Sequence, residues 1–182
     1  MNVQTERLTL TGSAGTIEAA RDAASLPDGA APRGVAILAH PHPLFGGTMD
    51  NKVVQTLARA FTQCGWTTVR FNFRGVGASA GVHDEGRGEL QDLLAVVQQV
   101  APQGPIALAG FSFGAFVTSH ALAALWGERE VAQAVARGAA LQSGRAGMAR
   151  MAMDRTPVAA VVAQIRRALP VLAALAEMAA AG

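Results

Sequence analysis

The rhythm of apolar positions changes several times along the first 126 residues. Residues 3 to 10 alternate, with Val3, Thr5, Arg7 and Thr9 against Gln4, Glu6, Leu8 and Leu10. Gly12-Ser13-Ala14-Gly15 and then Thr16 to Arg21 follow. A period of two broken by small turn residues predicts an amphipathic hairpin at a sheet edge. Beyond a Pro/Gly loop at 28–34, Val35 to Ala39 is an unbroken apolar run, the mark of a strand buried on both faces. Thr67 to Phe73 and Ile106 to Phe111 predict two more strands. The segments between them carry helical spacing. One stripe is Val53, Val54, Leu57, Ala58 and Phe61, with Thr48 as its expected N-cap and Gly65 just beyond its end. A second is Leu90, Leu93, Leu94, Val97 and Val100, stopped by Pro102. A third is Val117, Ala121, Leu122 and Leu125.

Buried strands that alternate with amphipathic helices predict an α/β fold, a mostly parallel sheet with helices on both faces. Ligands of such sheets bind beyond the C-terminal strand ends. Three loops leave such ends: HPHPLFGG (40–47), the loop from Arg74 to Gly81, and GFSFG (110–114). Ser112, His42 and Arg74 should therefore share one rim.

Beyond residue 126 the pattern fades. That tail holds eighteen alanines and no Lys, His or Phe, and its seven arginines face four acids. Its one clear rhythm is helical: Val158, Val161, Val162, Ile165, Leu169 and Leu172, with a bend expected at Pro170. No convincing buried strand is visible in it, and GAAL at 138–141 is the best candidate. The sheet is therefore expected to be incomplete on its C-terminal side. The apolar stripe would then cover the open face or join two copies into a homo-oligomer.

Composition narrows the picture. At 182 residues the chain suits one domain. With 51% hydrophobic and 15% charged residues it is globular, and a net charge of +2 gives no case for nucleic acid. The lone Cys64 excludes an intramolecular disulfide and fits a cytoplasmic location. The start of the chain has no signal-like apolar run. The longest apolar stretch, 157–181, is interrupted by Arg166, Arg167 and Pro170 and makes a poor membrane span.

Gly110-Phe111-Ser112-Phe113-Gly114 fits G-x-S-x-G between a buried strand and an amphipathic helix. That turn is sharp and strained. Glycines fit beside the serine, whose hydroxyl is exposed above a helix N-terminus. The bland alternative is a glycine-rich turn with an incidental serine. An acyl-transfer site also needs two N–H donors for the developing oxyanion. Phe113, after the serine, supplies one. The HPHP loop would supply the other from His42 or Leu44, because Pro41 and Pro43 have no N–H. His40 and His42 invite a metal reading, but no partner ligand supports one, so no metal or other cofactor is expected. His40 reads better as a hydrogen-bonded structural histidine. Gly75-Val76-Gly77 begins a dinucleotide-like loop, but Ala80 stands where the third glycine is needed, and a crossover loop is the better reading.

The stretches GVAILAHPHPLFGGTMDNKVVQTLARAF, VRFNFRGVGASAG and IALAGFSFGAFVTSHAL resemble the α/β-hydrolase superfamily, in particular small lidless bacterial members that carry HPHP. The resemblance covers residues 3 to 135. It implies that Ser112 is the nucleophile, that Phe113 and His42 form the oxyanion hole, and that the substrate is a small ester or related acyl compound. The family's triad runs Ser, then Asp or Glu, then His. Here the histidines are 40, 42, 83 and 120, and none follows 120. His120 lies eight residues along a helix from the serine, about 12 Å of rise, and points elsewhere. His83 and His42 are the nearest stand-in bases. Asp154 could be an acid, though no strand end visibly presents it.

The expected organisation is a hydrolase-like core over 1–135 and an Ala/Arg-rich helical tail over 136–182, divergent or resembling out-of-frame reading of a GC-rich gene. Two functions follow: a serine hydrolase weakened by the missing histidine, or a non-catalytic remnant that acts by association.

Overall fold

The structure, a computed structural model, describes residues 5–125 and 131–137. The expectations for the tail beyond 137, including Asp154, GAAL and the helix at 157–178, fall outside the described residues. Among the described residues no helix is long and apolar enough to cross a membrane.

The elements in chain order are β1 (Glu6–Gly12), β2 (Gly15–Asp22), β3 (Val35–Ala39), a single 3₁₀ turn (Pro43–Phe45), α1 (Lys52–Gln63), β4 (Thr67–Phe71), α2 (Arg87–Val100), β5 (Ile106–Phe111), α3 (Phe113–Leu125) and β6 (Val131–Arg137). They build one six-stranded sheet in the order β1-β2-β4-β3-β5-β6. The β1–β2 hairpin is antiparallel, with Gly12 opposite Gly15, and β2 runs antiparallel to β4. From β4 through β3 and β5 to β6 the strands are parallel. This is the mostly parallel sheet that the hydrophobic rhythm predicts, with the amphipathic hairpin at its edge.

The pleat divides the core. Ile37, Val69, Phe71, Ile106 and Leu108 face α2 and α3, where Leu93, Val96, Val97, Val117 and Ala121 meet them. Ala36, Leu38, Ala107 and Ala109 face the other way, onto Val54, Leu57, Ala58 and Phe61 of α1. The chain leaves β3 for β4 on one side, then returns through α2 to β5 on the other. The strand order thus reverses at β3, which opens a crevice beyond the ends of β3 and β5.

Three expectations need correction. β6 is a strand where none was visible. Its sequence, VAQAVAR, sets small alanines against Gln133 and Arg137, so it lacks the apolar run that marks β3 and β5. The cap of α1 is Asn51, whose side chain accepts from the Val53 N–H, while Thr48 closes the preceding turn by accepting from Asp50. The buried face of α2 is turned from the Leu90/Leu94 stripe toward Glu89, Asp92, Leu93, Val96 and Val97. Two acids point inward because each has donors to meet there. Asp92 receives the Arg74 N–H at 3.1 Å and the Arg74 guanidinium at 2.8 and 3.0 Å. That pairing raises the Arg74 pKa and ties the loop after β4 to α2.

Candidate active site

The site begins at the β5–α3 junction. Ser112 has φ of +57°, in the left-handed region that an L side chain rarely adopts. Its neighbours enforce the turn. A Cβ on Gly110 would overlap the backbone of Gly114, and one on Gly114 would overlap the carbonyls of Ala39 and His40. The helix therefore starts hard against the end of β3, and only glycine fits at both positions. The Ser112 carbonyl accepts the Ala115 and Phe116 N–H groups and so begins α3. The Phe113 N–H lies in the first turn, at the positive end of the helix dipole.

The HPHP loop lies beside this turn. The His42 carbonyl accepts the N–H groups of Phe45 and Gly47, and its Nδ1 accepts the Leu44 N–H at 3.2 Å. The Leu44 amide is thus committed to its own turn. Of the two oxyanion donors considered for this loop, the geometry favours the His42 amide. The His42 ring centroid lies 4.8 Å from that of Phe113, so the HPHP loop meets the serine turn.

His40 behaves as a structural histidine. It is fully buried, its Nε2 accepts the Phe73 N–H at 3.0 Å, and its Nδ1 lies 2.6 Å from the Pro41 carbonyl. Burial, outweighing that carbonyl and the charge of Glu89, pushes its pKa down to about 4. Both ring nitrogens are engaged, which leaves neither for a metal.

The loop at 74–81 is a crossover. The N–H groups of Gly75, Val76, Ser79 and Ala80 all go to backbone carbonyls, and that of Ala78 goes to Glu18. A phosphate cradle needs such groups free.

His83, before α2, and Glu89, in its first turn, lie at this rim. The His83 ring sits 5.4 Å from Phe113 and 4.9 Å from His42, centroid to centroid. Its Nδ1 is 2.7 Å from Glu89 Oε1, a close polar contact that is not an aligned hydrogen bond. Burial is the main cause that lowers the His42 pKa, and His83 adds to it. Glu89 is a residue of this rim that the motifs did not point to. Its place three residues after Gly86, the cap of α2, was the available signal. His120 is exposed on α3, its ring against Phe116, away from the elbow. Leu44 (69% exposed), Phe45 (81%) and Val82 (78%) give the mouth of the site an apolar border.

The family model described as serine aminopeptidase, S33, matches residues 30–178. A lidless α/β serine hydrolase from Xanthomonas campestris superposes with a TM-score of 0.63 at 41% identity, over 74% of this chain and 71% of that one. An α/β serine hydrolase homologue from Coxiella burnetii gives 0.61 at 45% identity, over 71% of this chain and 60% of that one. An uncharacterised protein of Rickettsia prowazekii is 42% identical over 87 residues, 46% of this chain but only 37% of its own length. With the parallel sheet, the reversal at β3 and the strained serine turn, these matches show that the chain belongs to the serine aminopeptidase S33 family of α/β hydrolases.

Proposed function

We propose that the chain is a serine hydrolase that cleaves small esters or related acyl compounds through an acyl-enzyme on Ser112. The observation that carries the reading is the Ser112 backbone, held at positive φ by two glycines whose missing Cβ atoms make room for other backbone. Local strain of this kind costs about 1–3 kcal/mol and persists where the surroundings enforce it. Here it sets Ser112 immediately before the N-terminus of α3. The Phe113 and His42 amides supply the oxyanion donors, and the apolar border of Leu44, Phe45 and Val82 suits an acyl or alkyl group. The tetrahedral intermediate would gain from those donors what a ground-state carbonyl does not.

The reading is tested with a fluorophosphonate probe and p-nitrophenyl acetate. Ser112 should be the labelled residue in the folded chain, and Ser112→Ala should abolish both labelling and ester turnover. Turnover that survives in Ser112→Ala would overturn the assignment. A folded chain that is neither labelled nor active would favour the non-catalytic remnant.

A further inference from the structure

We propose that His83, backed by Glu89, is the general base that activates Ser112. This rests on the reading of Ser112 as nucleophile and assigns it a base among the described residues.

The argument starts from the four histidines of the chain. His40 has both nitrogens engaged by Phe73 and Pro41 beneath the site. His42 accepts the Leu44 N–H at Nδ1, so its neutral ring carries the proton on Nε2 and has no lone pair to offer there. His120 is exposed and about 12 Å along α3 from the serine. His83 remains, and it is placed differently. Its ring packs against Phe113, the residue next to the nucleophile, and only 13% of its side chain is exposed.

Glu89 gives that ring a direction. The carboxylate is fully buried and held by the Gly86 N–H on Oε2 at 2.8 Å and the Asp84 N–H on Oε1 at 2.9 Å. Its Oε1 lies 2.7 Å from His83 Nδ1. The pairing keeps the proton on Nδ1 and leaves the Nε2 lone pair for the serine hydroxyl, the division of labour in a Ser-His-Asp triad. The chain order here is His83, Glu89, Ser112. Such constellations are recognised by geometry and roles, not by sequence order.

In the step itself Ser112 Oγ attacks the ester carbonyl carbon as its proton passes to His83 Nε2. The carbonyl π pair moves onto oxygen, facing the Phe113 and His42 amides. The C–O bond to the alcohol then breaks, and Nε2 returns its proton to the departing oxygen. Water repeats the sequence on the acyl-enzyme and releases the acid. Glu89 Oε1 faces the imidazolium that forms between the transfers.

The test follows the rate at which Ser112 is phosphonylated by a fluorophosphonate, read by mass spectrometry on the full chain. His83→Phe preserves an aromatic ring against Phe113. It should leave the chain folded, as read by circular dichroism, and slow labelling by about 10²- to 10⁴-fold. His83→Ala should be slowed likewise and regain labelling, saturably, on addition of imidazole. Glu89→Gln should slow labelling in the native background and have no further effect on His83→Phe, because a positioning residue acts only through its partner. Undiminished Ser112 labelling in His83→Phe, or no rescue by imidazole, overturns the base and leaves the nucleophile standing. Absence of Ser112 labelling in the native chain overturns the nucleophile and the base together.

Discussion

Acidification from pH 7 to pH 5 should cost the folded protein about 2 kcal/mol through His40 alone. The ring is fully buried, and its Nε2 accepts the Phe73 N–H. A proton there would put a donor against a donor and a charge into the core. Folding lowers its pKa from the ordinary 6.5 to about 4, chiefly through burial. Between those values the unfolded chain binds the proton and the folded chain does not. Stability therefore falls as the pH drops through 6.5, and the loss levels off below 4. The whole window is worth about 3 kcal/mol, of which about 2 kcal/mol is reached by pH 5. Glu18 is held below its usual range first by the Ala78 N–H and then by Asn72, so it adds acid sensitivity only at lower pH. His42, also lowered by burial, acts in the same sense as His40. Urea unfolding at pH 7, 6 and 5 measures the loss, and ring ¹⁵N shifts assign it. The His40 nitrogens should keep their neutral pattern at pH 5. Stability that is flat or rising on acidification, or a His40 ring that titrates near 6.5, refutes the reasoning.

Two further outcomes follow from the same packing. Gly114→Ala forces a methyl against the Ala39 and His40 carbonyls, and should destabilise by about 1–3 kcal/mol in urea and slow Ser112 labelling; native behaviour in both would show that the α3–β3 contact is loose. Asp92→Ala strands the guanidinium of Arg74 and should cost about 3–5 kcal/mol in the same assay, whereas a loss near zero would mean that this pair does not hold the loop to α2.

Much of this fold was legible in the sequence because its signals are local. The unbroken runs at 35–39 and 106–111, the alternation at 3–10 and the glycines around Ser112 each show in a window of a few residues. β6 was not, because alanine is compatible with strand or helix and only the neighbouring β5 decides between them. The inward turn of Glu89 and Asp92 was hidden for a related reason. A stripe of leucines predicts which face is greasy, but the donors that draw two carboxylates inward come from residues 74, 84 and 86, brought there by the loop. Ser112, Phe113 and His42 could be named from motif alone. The meeting of His83 with Glu89 could not, since it depends on how that loop folds back.

The overlap at Gly110 and Gly114 also bears on how the gene can vary. A new methyl that meets a side chain can be relieved by a second mutation that trims the neighbour. Here the obstructing atoms are peptide carbonyl groups of Gly114, Ala39 and His40, which every amino acid carries. No single compensating replacement can remove them. Suppressor screens begun from alanine at either glycine should therefore return only revertants or changes that stabilise the sheet elsewhere, so the lineage can leave this turn only by rebuilding the strand–helix junction.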